Sequence, residues 1–156
     1  MDNVEIERKF LIDKFPDMLP LLESAEVWQG YISTEPVVRI RKKVTESGES
    51  YRLCFKGAGG LVRTEVEMPL AAEKYAALLP LLGAPPVHKV FRVYALPGGE
   101  RLECSLVDGQ YYYAEVEFST VDAANAFSPP AFLGTEKTND PAFTMSHYWQ
   151  TRKFPV

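Results

Sequence analysis

The sequence predicts an α+β fold built on an antiparallel sheet, and three observations carry that expectation. Eight segments alternate apolar and polar residues with the period of two that a β-strand imposes, against only three or four with helical spacing. Strands and helices do not alternate regularly, as a parallel doubly wound sheet would require. Gly48, Pro97-Gly98-Gly99 and Asp108-Gly109 separate neighbouring strand segments, as hairpin turns do. The chain has 156 residues, enough for a substantial core, and residues 1–156 are expected to form a single domain.

Val4–Phe10 reads as the first strand, with Glu5, Glu7 and Lys9 on one face and Val4, Ile6 and Phe10 on the other. Pro16–Glu23 is expected as a short helix interrupted by Pro20. Val27–Ser33 follows as a strand, with Gln29, Tyr31 and Ser33 opposite Trp28, Gly30 and Ile32. Val37–Val44 aligns Arg39, Arg41 and Lys43 against Val38, Ile40 and Lys42. A turn over Glu46–Glu49 leads into Ser50–Lys56, where Arg52, Cys54 and Lys56 oppose Tyr51, Leu53 and Phe55.

After a Gly57–Gly60 loop, Val62–Met68 sets Arg63, Glu65 and Glu67 against Val62, Thr64, Val66 and Met68. Ala71–Leu82 is the clearest helix, with Tyr75, Leu78, Leu79 and Leu82 on one stripe, Pro80 as a flaw, and Gly83 and Pro85 ending it. Val87–Leu96 and Arg101–Val107 flank the Pro97-Gly98-Gly99 turn. Gln110–Ser119 carries Glu115 and Glu117 opposite Val116 and Phe118. Helices are expected over Thr120–Phe127, capped by Asp122, and from Pro141 to about Thr151.

A net charge of −4 gives no global attraction to nucleic acid or acidic lipid, so any anion site must be local. No apolar run approaches the roughly 18 residues of a membrane span, and the opening Met-Asp-Asn has no basic-then-apolar leader. The expected location is cytoplasmic. Cys54 and Cys104 face different neighbours, so a disulfide is not expected, and His88 and His147 lack zinc-ligand spacing. Gly-rich nucleotide loops, the Gly-x-Ser-x-Gly elbow and His-Glu-x-x-His are all absent. His88 is read as an edge-strand surface residue, and Trp28, Tyr148 and Trp149 as packing residues. The Tyr111-Tyr112-Tyr113 run receives no role.

The charged strand faces form one set. Glu-x-Glu occurs three times on strands, and two carboxylates at i and i+2 lie roughly 7 Å apart, where they repel without water, a cation or a basic partner. An open sheet with a solvated face, its cross-strand pairs contributing up to about 1 kcal/mol each, accounts for scattered charges. Here carboxylates adjoin carboxylates and guanidinium adjoins guanidinium, which suggests two subsites. A closed barrel with these faces inward would offer hard divalent cations an acidic subsite and phosphate a basic one. Pattern alone leaves the open sheet and the closed barrel both standing.

These residues resemble those of the CYTH proteins, the class IV adenylyl cyclase and thiamine triphosphatase family also called triphosphate tunnel metalloenzymes. The resemblance runs through Glu5-x-Glu7-x-Lys9, Arg39-x-Arg41, Tyr51-x-Leu53-x-Phe55-Lys56, Arg63-x-Glu65-x-Glu67, Glu103, Ala114-Glu115-x-Glu117 and Leu133-Gly134-x-Glu136-x-Thr138. It covers nearly the whole chain in order. It implies an eight-stranded antiparallel β-barrel tunnel, charged inside, with helices packed outside. Lys9, Arg39, Arg41, Lys56, Arg63 and Arg92 would then bind substrate phosphates. Glu5, Glu7, Glu65, Glu67, Glu103, Glu115 and Glu117 would bind or orient Mg²⁺ or Mn²⁺, and Tyr31 and Lys89 would be catalytic.

Two positions depart from the family pattern. Ser105 stands where an Asp is common after the Glu matched by Glu103. Lys89 and Arg92 are three residues apart where the family shows Lys-x-Arg, so without a bulge only one faces the tunnel. The resemblance, of the bacterial inorganic triphosphatase type, implies metal-dependent hydrolysis of inorganic triphosphate or a small organic triphosphate. The alternatives are an adenylyl cyclase making cyclic AMP from ATP, and a polyphosphate- or nucleotide-binding module without catalysis. The expected partner is a small-molecule triphosphate, with neither nucleic acid nor membrane; a homodimer stays open.

Overall fold

The computed structural model describes residues 3–153. Eight strands form a closed antiparallel barrel: β1 (Val4–Leu11), β2 (Leu21–Thr34), β3 (Val37–Thr45), β4 (Gly48–Lys56), β5 (Val62–Pro69), β6 (Val87–Ala95), β7 (Arg101–Val107) and β8 (Tyr111–Glu117). Around the barrel they run β1-β5-β4-β3-β2-β6-β7-β8, and β8 pairs with β1 to close it. Closure chooses between the two arrangements that the charge pattern allowed. It leaves no sheet edge, and it gives each strand one face inside and one outside.

Three short helices pack on the barrel: α1 (Ala72–Leu78), continued by a 3-10 turn over Leu79–Leu81, α2 (Val121–Ala126) and α3 (Met145–Thr151). Two apolar clusters bury beneath these helices and loops, the first on the outward faces of the strands and the second at one end of the barrel interior. One cluster gathers Phe10, Tyr94, Leu102, Cys104 and Val116 with Phe15 and Leu133. The other gathers Tyr31, Val87, Val107, Tyr111 and Tyr113 with Phe143, Tyr148 and Trp149, and ties α3 across one end of the barrel. Among the described residues, no helix is long and apolar enough to cross a membrane.

Several expected elements differ. Pro16–Glu23 is not a helix: residues 16–20 are irregular and Leu21–Glu23 begin β2. Pro16 and Pro20 lack N–H donors, and the Pro20 carbonyl accepts from Ala95 N at 2.9 Å, which recruits this stretch to β6. Pro80 ends α1 earlier than the apolar stripe suggested. The cap of α2 is Thr120, whose side chain accepts from Ala123 N, and Asp122 lies in the first turn instead. The last helix starts at Met145, not Pro141, with the Thr144 side chain accepting from His147 N. His88 is not on an edge, because β6 pairs on both sides; its ring lies 5.0 Å from that of Trp28.

The segment after β8 is anchored to β1. The Arg8 guanidinium donates to both carboxylate oxygens of Glu136, at 2.8 and 2.7 Å, and to the carbonyls of Ala124 and Phe127. Thr138 Oγ1 accepts from Lys9 N at 3.0 Å and donates to Glu136. Gly134 N donates to the Leu11 carbonyl at 2.7 Å, and a Cβ at Gly134 would lie 2.9 Å from that same oxygen, so the approach requires glycine.

Candidate active site

The inward faces enclose a cavity of about 300 Å³. It is lined by Glu5, Glu7, Lys9, Tyr31, Arg39, Arg41, Lys56, Arg63, Glu65, Glu67, Lys89, Glu103, Glu115 and Glu117. Alternation on eight strands thus brings together every candidate residue except Arg92. The register between β6 and β7 runs unbroken from Lys89 to Ala95, so no bulge turns both Lys89 and Arg92 inward. Lys89 takes the tunnel face. Arg92 lies outside, with its guanidinium 4.4 Å over the Phe15 ring and 3.6 Å from Asp17, and the expected phosphate contact at Arg92 is therefore corrected.

Cross-strand register puts like charges together: Glu7 opposes Glu117, Glu103 opposes Glu115, and Arg41 opposes Arg52. Cations offset part of the acidic charge. Lys56 Nζ donates to both oxygens of Glu5 at 3.1 Å and lies 3.5 Å from Glu65. Burial, the largest single influence, would lift the Glu5 carboxyl, but Lys56, Glu65 and Arg39 together outweigh it and hold that carboxyl below its ordinary range. Burial and the neighbouring Glu115 and Glu5 hold Glu7 well above that range. Burial and Glu115 push Glu103 up to about 8, and burial and Glu5 push Glu117 up to about 7.

Oxygens of Glu5, Glu7 and Glu117 all lie within 4.8 Å of one another. Cys54, Glu65 and Glu67 form a second group with equally close donor atoms. Hard carboxylate oxygens crowded in this way suit a divalent cation. On the basic side, Arg39 and Arg41 reach Glu67 at 3.7 and 3.9 Å, yet the buried Nε of each makes no hydrogen bond. Buried donors in that state suit an anion with several acceptor oxygens.

One end of the tunnel is closed and the other is open. Thr144, Met145 and Ser146 line the cavity at the closed end, and Trp149 packs on Tyr31 with ring centroids 5.7 Å apart. There Lys89 Nζ donates to Tyr113 Oη at 2.7 Å, and Gln29 Nε2 donates to Tyr31 Oη at 3.1 Å. Burial pushes Lys89 down to about 7 against the pull of Glu115, helped by Arg39, Arg41 and Lys56. Lys9 Nζ donates to the Phe143 carbonyl at 3.3 Å. Tyr113, to which the sequence alone assigns no role, is thus the direct partner of Lys89. Alternation does carry the signal, because Tyr113 shares a face with Glu115 and Glu117.

The same rule places Gln29 beside Tyr31, and Arg101 beside Glu103, in the lining. Glu23 also lines it, although the helix expected over Pro16–Glu23 gives no strand face from which to read it. Beside the closed end, a recess among Tyr111, Tyr113, Phe143 and Met145 holds about 30 Å³, room for a water or two. It is too small for a purine.

No family model matches the chain. The sequence is 36% identical to the inorganic triphosphatase of Nitrosomonas europaea (strain ATCC 19718) over 139 residues, 87% of this chain and 90% of that protein. Its structure is similar to the crystal structure of the inorganic triphosphatase NE1496, with a TM-score of 0.65, 30% identity and 97% of each chain covered. It also shares its fold with HpAC1 of Hippeastrum, named as an adenylyl cyclase and described as having a dominant triphosphatase activity. That match has a TM-score of 0.53 and 14% identity over 78% of this chain and 82% of the other.

Proposed function

Since the chain belongs to the inorganic triphosphatase family, we propose that its barrel hydrolyses the terminal phosphoanhydride of inorganic triphosphate. The observation that carries this reading is the pairing, in one cavity, of unpartnered Arg39 and Arg41 donors with the crowded carboxylates of Glu5, Glu7 and Glu117. A linear polyanion accompanied by a cation fits both needs at once.

Arg39 and Arg41, with Lys9, Lys56 and Arg63, hold the phosphoryl oxygens and fix the chain along the tunnel. Guanidinium supports this because its fork matches phosphate geometry. Glu5, Glu7 and Glu117 would hold Mg²⁺ or Mn²⁺, with Glu65, Glu67, Glu103 and Glu115 around them, and the ion when bound supplies charge neutralisation and Lewis-acid polarisation of phosphoryl oxygens. Water attacks the terminal phosphorus in line, a P–O bond forms, the anhydride P–O bond breaks, and phosphate and diphosphate leave. Lys89, in its neutral form above about pH 7, takes the proton of that water, and Tyr31 and Tyr113 orient the exchange. Charge in such a transition state spreads over phosphoryl oxygens, so positioning and electrostatic stabilisation are the main contributions.

The small apolar recess supports hydrolysis over cyclisation, which needs a site for adenine. A reducing compartment such as the cytoplasm suits Cys54 and Cys104, both buried free thiols. The test is product analysis with inorganic triphosphate, ATP and thiamine triphosphate under Mg²⁺ and under Mn²⁺. Phosphate release from inorganic triphosphate is the expected result. Cyclic AMP from ATP without triphosphate hydrolysis would establish the cyclase instead, and tight triphosphate binding with neither product would establish a binding module.

A further inference from the structure

The open end of the tunnel holds an ion-pair cluster that none of the proposed chemistry uses. Glu23 projects inward from β2, opposite Val93 of β6. Lys43 of β3 pairs with its Oε1, and Arg101 of β7 reaches its Oε2 at 3.3 Å. One carboxylate thus joins strands on both of its flanks across the mouth. Exposure marks this end as open: the Arg101 side chain is 56% exposed, against 11% for Lys56 deeper in.

On β3, alternation sends Arg39, Arg41 and Lys43 inward as a row of cations that leads out from the centre of the tunnel. Lys43 would extend this track by one more phosphoryl contact, and Arg101 would approach it from the opposite wall. Glu23 interrupts it. The carboxylate occupies both cations and presents its own negative charge where a fourth phosphoryl group would lie. Lys43 is also held by its ammonium lying 5.2 Å from the centre of the Phe91 ring, so its position does not depend on Glu23 alone.

We propose that Glu23 is a specificity-determining residue, which restricts the tunnel to triphosphate by offsetting part of the positive charge of Lys43 and Arg101 at the mouth and repelling the next phosphoryl group of a longer chain. This rests on the triphosphatase reading for its substrate class. The test compares equilibrium binding of inorganic tripolyphosphate and tetrapolyphosphate by calorimetry without added cation, alongside phosphate release from tripolyphosphate. Calorimetry reads the inference without turnover, whereas hydrolysis by the unaltered protein reads the proposed function, so either can fail alone.

Glu23→Gln keeps shape and removes the charge. It should raise the affinity ratio of tetrapolyphosphate to tripolyphosphate about five- to tenfold. Adding Lys43→Met to that variant should abolish the gain. Arg101→Met, on an exposed side chain and with Glu23 intact, leaves the carboxylate less neutralised and should lower the ratio, a reading that stands even where Glu23→Gln does not fold. The proposal is overturned if Glu23→Gln strengthens both ligands equally or neither, if the gain survives loss of Lys43, or if Arg101→Met leaves the ratio unchanged.

Discussion

Lys89 Nζ donates to Tyr113 Oη at 2.7 Å in the closed end of the barrel, so this buried lysine is paired with a phenol instead of a carboxylate. A carboxylate in contact would fix the ammonium form. Tyr113 leaves burial as the leading influence, and the amine is pushed down to about 7 from an ordinary 10.5. A lysine in that range exchanges protons near neutrality, which is where a general base is most effective.

Lys89 makes stability depend on pH in a definite direction. Between about pH 7 and 10.5 the unfolded chain keeps the Lys89 proton while the folded protein has lost it, so stability rises with pH across that window. The rise should be of the order of 2 to 4 kcal/mol, and Lys89→Met should remove it in urea titrations at several pH values. The same variant should lower kcat about 100-fold or more. Tyr113→Phe should lower kcat while leaving KM for triphosphate within about threefold. Unaltered kinetics in both variants would remove Lys89 and Tyr113 from the chemistry.

The acidic subsite has the opposite slope. Glu103 keeps a proton up to about pH 8 in the folded protein but only up to 4.5 when unfolded, so stability falls as pH rises from about 4.5 to 8. Metal-free protein should lose about 1 to 3 kcal/mol over that range, and Glu103→Gln should flatten the loss. Added Mg²⁺ should restore stability at pH 8 more than at pH 5, because the carboxylates must be ionised to bind it. Thermal unfolding with and without Mg²⁺ at both pH values checks this.

Arg8 carries no charge into the tunnel, yet it clamps the segment that closes it. Arg8→Met would leave the Phe127 carbonyl without its side-chain donor, the Ala124 carbonyl with only Phe127 N and the Glu136 carboxylate with only Thr138 Oγ1, at a cost of about 1 to 3 kcal/mol. Hydrogen exchange should show faster opening of residues 132–151 in that variant while β3 and β4 stay protected. Uniform loss of protection would mean that the segment and barrel unfold as one unit.

Strand alternation made the tunnel lining legible, because a period of two fixes which side chains share a face once any one of them is known to face inward. It could not say that the sheet closes. Closure depends on β1 pairing with both β5 and β8, contacts between residues far apart in sequence. The Lys89 and Arg92 spacing was readable as a conflict, and strict register resolved it against Arg92. Glu23 was illegible for a local reason. Leu21-Leu22-Glu23 has helical character, and only its pairing with β6 commits it to a strand.

The separation of charge classes allows one further prediction, which tests whether the two subsites act separately. Arg39 is buried and keeps an unpartnered Nε, so it contributes little to the resting protein that a ligand would not complete. Arg39→Lys retains the charge but removes the fork, and it should raise KM for triphosphate about tenfold or more with little change in the Mg²⁺ concentration at half activity. Glu117→Gln removes an oxygen donor from the Glu5 and Glu7 group and should do the reverse, shifting the Mg²⁺ requirement upward about tenfold while KM at saturating Mg²⁺ changes less. A grid of initial rates against both concentrations separates the outcomes. If the substrate binds only as its metal complex and both groups act on one species, each variant shifts both axes together. Charge sorting along the strands would then describe one merged site, because cation and anion would enter and leave as a unit.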